Sequence, residues 1–145
     1  ERPPCDIAGI KLGPLTLGYY VHRDLLTDAR LGRRELTYIN TSEDIPSQLP
    51  KPSDLGIAVK HSIDGGIARY EAVLNQMGVG ALPCFTVAHD SNIIRLPNTL
   101  SVPYFHVWLL YHKDLRQSAR VRALFTHLSS LEDSWPDAWV GIRAE

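Results

Sequence analysis

The tightest constraint on the fold lies between residues 55 and 83, where strand, helix and strand patterns follow one another without a gap. Residues 55–60 (LGIAVK) are nearly continuously apolar, which predicts a strand covered on both faces. Ile67, Tyr70, Leu74 and Met77 then fall at spacings of three and four, predicting a helix that buries this stripe. Ser62 or Asp64 is placed to cap its start and Gly78 to end it. Residues 79–82 read as the next strand, stopped by Pro83. A crossover of this length joins parallel strands, so the segment predicts an α/β sheet.

The flanking sequence extends the pattern. Leu15, Leu17, Tyr19 and Val21 alternate with Thr16, Gly18 and Tyr20, as in a strand with one buried face. A helical turn is expected over residues 24–27 and a short strand over 36–39. Residues 40–53 read as loop, with one helical turn after Ser42. Residues 93–96 form another strand, closed by Pro97. Residues 105–111 are apolar on both faces and predict a central strand with a neighbour on each side. Val121, Leu124, Phe125, Leu128 and Leu131 mark a helix that begins near Ser118. The tail after Asp133 has no period, and at least one of Trp135 and Trp139 is expected to dock.

Composition excludes several classes of function. With 145 residues the chain suits one domain. Its 15 basic and 16 acidic residues are scattered, where a stand-alone DNA-binding domain would concentrate positive charge on one face. The groups Arg30, Arg33, Arg34 and Arg116, Arg120, Arg122 read as solvated surface. No apolar run approaches a membrane span. Cys5 and Cys84 lie far apart without CxxC spacing, so free thiols and a reducing cytoplasm are expected. The chain opens at Glu1 without a signal-like stretch, which reads as a cut inside a longer protein.

Catalytic and metal motifs are missing. There is no GxSxG, and the glycines of residues 78–83 lead into a strand instead of the helix a pyrophosphate would need. Cys84 and His89 have no evident orienting acid. His22, His61, His89, His106, His112 and His127 show no ligand spacing. His106 and His112 would share one strand face about 20 Å apart, too far for a shared metal. No cofactor, metal or enzymatic activity is expected.

Wording and order carry more. LGPLTLGYYVHRDLL (12–26) resembles the strand by which LysR-type transcriptional regulators enter the second half of their effector domain. ARYEAVLNQMGVGALPCF (68–85) resembles that family's helix and glycine-punctuated strand, and IIRLP (93–97) its crossover strand. VWLLYHKDLRQSARVRALFTHL (107–128) resembles the closing strand and helix. Each motif is weak alone. Together, in this order over residues 9–131, they make a strong resemblance.

The resemblance implies an α/β fold like the type 2 periplasmic binding proteins, with a mostly parallel sheet, flanking helices and an incomplete first subdomain. Residues 1–98 would form the second effector-binding subdomain, 99–133 the crossover, strand and helix returning to the first, and 134–145 a tail. It implies an effector sensor acting on DNA only through a helix-turn-helix domain absent here, forming homo-oligomers and having no membrane partner. A solute-binding protein of transport shares the fold and stays the alternative. An enzyme on the same fold, as in porphobilinogen deaminase, lacks a supporting motif.

Helix starts attract anions, and ligands of α/β sheets sit at the carboxyl ends of strands. His61, Ser62 and Ile63, before Gly65 and Gly66, are therefore the first candidates to contact a small, anionic effector. Tyr20, His22 and Arg23 end the first strand and are expected to face the same cleft. Pro83, Cys84 and Phe85 would line its floor, with plain packing the competing reading.

Overall fold

The computed structural model describes residues 6–130; Cys5, Leu131, Trp135, Trp139 and the expected tail lie outside the described residues. In chain order the elements are β1 (Ile7–His22), α1 (Arg23–Arg30), β2 (Thr37–Asn40), a 3-10 turn (Pro52–Leu55), β3 (Ala58–Ser62), α2 (Gly66–Leu74), β4 (Val79–Pro83), α3 (Cys84–Val87), β5 (Ile93–Arg95) and β6 (Val102–His112). A second 3-10 turn (Lys113–Gln117) and α4 (Ala119–Ser130) complete them. The six strands make one mixed sheet in the order β3-β2-β4-β1-β5, with β6 also alongside β1.

The expectation of parallel pairing holds for β2 with β3 and for β2 with β4. The crossover through α2 carries the chain over β2, which separates β3 from β4. β1 runs antiparallel to β4, β5 and β6, so the sheet is less parallel than the strand-helix-strand pattern implied. The reversal follows from β1 and β6 forming one long antiparallel ribbon, from Ile7 opposite His112 to Leu17 opposite Val102. The chain enters and leaves the main sheet along this ribbon, and β1 keeps its incoming direction where it joins β4.

Alternation places the core on both faces of the sheet. Leu17, Tyr19, Val21, Tyr38, Val79 and Ala81 pack with Leu25 and Leu26 of α1 and with Leu49 and Ile57. Tyr20, Ile39 and Leu82 point the other way, against Ala72 and Val73 of α2 and Cys84 and Val87 of α3. β1 thus buries both faces from Leu15 to His22, where its alternation had predicted one.

Four local expectations are corrected. β3 is an exposed edge strand, with Ala58, Val59 and Lys60 in solvent, because α2 lies over β4 and β1 instead. α2 buries Arg69, Ala72 and Val73, while Ile67 is 81% exposed and Met77 40%. The buried face is therefore turned by about 100°, one residue's rotation, from the apolar stripe. The helix ends at Asn75 with Gln76 in the left-handed region, and Gly78 serves another purpose. A side chain at Gly78 would strike the Thr37 carbonyl of β2, so glycine there lets the start of β4 approach its neighbour. No helical turn forms after Ser42; the 3-10 turn comes at Pro52.

β6 has β1 on one edge and no other strand among the described residues. Phe105, Trp108 and Leu110 remain exposed, and α4 has no buried residue. Tyr111 and Phe125 meet edge-on at 4.7 Å and join α4 to the end of the ribbon.

Candidate functional site

The carboxyl ends of the parallel strands place Asn40, Ser62 and Pro83 along one edge of the sheet. Leu17 of β1 pairs with Pro83 and shares that edge. Because β1 is antiparallel, His22 lies five residues further on, about 17 Å away at the opposite edge.

This register sorts the predicted site residues. His22 does not face the cleft edge; it caps α1, its Nδ1 accepting from the Asp24 amide at 3.1 Å. Arg23 beside it donates to the Ser91 carbonyl at 3.0 Å. Tyr20 and Cys84 come together, but inside the core beneath α2, 5% and 1% exposed. Burial raises the Tyr20 phenol's pKa well above its usual range, and its hydrogen bond to the Cys84 thiol adds to the effect. Packing and capping thus account for Tyr20, His22 and Cys84. Ser62 stays exposed, while His61, Ile63 and Pro83 are half-buried at the carboxyl edge and Phe85 is exposed just beyond them. The Ile63 amide donates to the Asn40 carbonyl at 2.9 Å, holding the end of β3 against β2.

The start of α2 is built on Gly65, at φ +86°, a conformation that favours glycine. Neither Ser62 nor Asp64 caps it. The Gly65 amide donates to Glu43 Oε1 at 2.9 Å, and the first intrahelical bond runs from the Arg69 amide to the Gly65 carbonyl. The amides of Gly66, Ile67 and Ala68 precede that bond and have no acceptor within the helix. Asp64 turns back instead, accepting from Thr41 Oγ1 at 3.0 Å and the Ser42 amide at 2.7 Å. The Ser42 amide holds the Asp64 carboxyl below its ordinary pKa.

Two residues outside the sequence-based candidates organise this corner. Arg69, 2% exposed, donates through Nε to the Ala81 carbonyl at 2.8 Å and through Nη1 to the Ile63 carbonyl at 3.3 Å. Its Nη2 reaches Glu43 Oε2 at 2.9 Å. Arg69 is the main cause holding the Glu43 carboxyl below its usual range, followed by the Gly65 amide. The signal in the sequence was the Arg69, Ala72, Val73 spacing of a helical face, masked by the more apolar stripe beside it. Among the described residues no cluster of histidine, cysteine and carboxylate side chains could hold a metal, and no helix is long and apolar enough to cross a membrane.

The LysR substrate binding domain family matches residues 22–132. The effector domain of the regulator AmpR from Pseudomonas aeruginosa is similar in structure, with a TM-score of 0.64 at 16% identity over 91% of this chain and 68% of that one. The CrgA regulatory domain from Neisseria meningitidis, a LysR-type regulator, gives 0.61 at 16% identity over 90% and 71%. Full-length LysG from Corynebacterium glutamicum with bound effector Arg gives 0.55 at 13% identity, over 89% of this chain but 47% of LysG. No curated protein matches in sequence. The chain belongs to the LysR substrate binding domain family, the effector-binding part of LysR-type transcriptional regulators, and is not an enzyme.

Proposed function

We propose that this domain senses a small carboxylate-bearing molecule at the rim where β3 passes into α2. The observation that carries the reading is the set of helix-start amides at Gly66, Ile67 and Ala68, without intrahelical acceptors, beside the exposed Ser62. His61, Ile63 and Pro83 stand on the same edge and complete this wall. Tyr20 and Cys84 support it from the core. The opposite wall belongs to the first subdomain, and residues 1–98 supply the second. Glu43 and Asp64 face Arg69 with a negative excess, so an effector with an amine beside its carboxylate suits the rim better than a bare anion. The arginine bound by LysG has that chemistry. Effector binding is passed to a helix-turn-helix domain outside this chain, in a cytoplasmic homo-oligomer.

The test is Ser62→Trp in the complete regulator, with effectors found by a thermal-shift screen of amino acids and other small carboxylates. The indole should block the rim and weaken calorimetric affinity at least tenfold, while the fold, which does not use Ser62 as a cap, survives. Unchanged affinity would move the effector site elsewhere.

A further inference from the structure

β2 and β3 lie parallel and adjacent, and the segments leaving their ends are tied by an exchange of carboxylates. Asp64, after β3, accepts from Thr41 and Ser42, after β2. Glu43, after β2, accepts from Gly65, after β3, and from Arg69 of α2. Arg69 anchors the exchange in the core, since its other donors hold the Ala81 carbonyl of β4 and the Ile63 carbonyl of the turn itself.

We propose that Glu43 is a positioning residue for the effector rim: by bridging the Gly65 amide and the Arg69 guanidinium, its carboxylate fixes the turn that presents Ser62 and the helix-start amides. The rim's role in binding rests on the function proposed above; the mechanics of the turn do not. The two halves of the bridge differ in accessibility. The Arg69 side chain is 3% exposed, whereas that of Glu43 is 37% exposed and open to solvent or an arriving ligand. Glu43 is therefore the half that can let go. A side chain added at Gly65 or Gly66 would touch nothing within 4 Å, so packing does not hold the backbone there and the hydrogen bonds of Asp64, Ile63 and Glu43 do. Without the carboxylate, Arg69 keeps a buried charge lacking its anion, and the Gly65 amide loses its charged acceptor.

The experiment is amide hydrogen exchange on the full chain near neutral pH, comparing the wild type with Glu43→Gln. Glutamine keeps the length and one acceptor oxygen but removes the charge. Exchange of the Ile63 and Gly65 amides, which donate to Asn40 and Glu43, should quicken about ten- to a hundredfold, the range set by a charge-assisted hydrogen bond, while Ala81 and Leu82 in β4 keep their rates. Glu43→Asp, which retains the carboxylate on a shorter stem, should recover part of the protection. In Glu43→Ala, sodium acetate but not sodium chloride at equal ionic strength should restore it. Acceleration spread evenly over β1 and β4 would reduce Glu43 to an ordinary contributor to stability, and unchanged exchange at Ile63 and Gly65 would remove the positioning role altogether. Either result leaves the Ser62→Trp test standing. Conversely, a failed Ser62→Trp test sinks the effector reading without altering the exchange result.

Discussion

Replacing Arg69 by methionine isolates the energetics of the corner where β3, β4 and α2 meet. Methionine has a similar stem, so the apolar packing of Arg69 against Gly80 is largely kept and the guanidinium alone is lost. Three acceptors lose a partner: the Ala81 carbonyl, the Ile63 carbonyl and Glu43. The Ala81 contact is buried, and leaving such an acceptor unsatisfied costs about 1–3 kcal/mol. The Ile63 contact is longer and part-buried, and should contribute less. Glu43 can rehydrate because over a third of its side chain is exposed, which brings its share down to about 1 kcal/mol, well under that of a fully buried pair. The sum is about 3 kcal/mol, a large part of the roughly 5–15 kcal/mol that stabilises a domain. Urea unfolding at pH 7 should show a lower midpoint with an unchanged slope. Acid titration supplies a second check. The folded Glu43 pKa is depressed, chiefly by Arg69, so its contribution is present above the ordinary carboxylate range, about 4.3, and is lost as pH falls through the lower folded value. The variant should lack most of that acid-dependent loss. A stability change under about 1 kcal/mol, or an acid slope equal to that of the wild type, would refute the assignment of Arg69 as the anchor.

Two further outcomes follow from the burial pattern. Val73→Ala, at a fully buried position, should destabilise by about 2 kcal/mol, whereas Ile67→Ser on the same helix should stay within about 0.5 kcal/mol; reversal of that order in denaturant melts would restore the stripe read from the sequence. The chain by itself should self-associate through Trp108 and Leu110 on one side of β6, with Phe105 and Leu124 also exposed; light scattering on dilution that finds a stable monomer at micromolar concentration would contradict this.

The fold was legible wherever local pattern and tertiary context agree. β4, β5 and the end of β6 lie close to where their apolar runs placed them, and Pro83 and Pro97 leave the first two little freedom in their limits, whereas β6 starts three residues early with Pro103 inside it. Errors arose where one pattern suits two environments. Residues 55–60 look like a doubly covered strand, yet β3 is an edge, and what covers a strand depends on where a distant helix lands. α2 hid its orientation because Arg69 occupies a core position that a hydrophobicity count treats as solvent-facing. The site suffered from a further blindness. His22 was grouped with Ser62 because both end strands, and only the direction of β1 relative to β4 separates them across the sheet. Pairing direction is a property of the whole sheet, and no short stretch of β1 encodes it.

The Glu43–Arg69 pair poses a question that stability alone does not answer. Taking a guanidinium out of water is expensive, and well-packed apolar residues often replace a buried ion pair at no loss of stability. A methionine paired with a small neutral residue at position 43 would fill much the same space. What such a pair would not reproduce is direction. The planar guanidinium sends separate donors to β4, to the turn after β3 and to the loop after β2, fixing their relative placement at one point. That point lies directly behind Gly65, where the backbone has lost the restraint of side chains and takes a conformation few residues tolerate. A turn made of glycines can let a ligand approach closely, but it then needs its geometry imposed from outside. Arg69 and Glu43 impose it, one from the core and the other from the surface, so the turn between β3 and α2 takes its geometry from a charge pair.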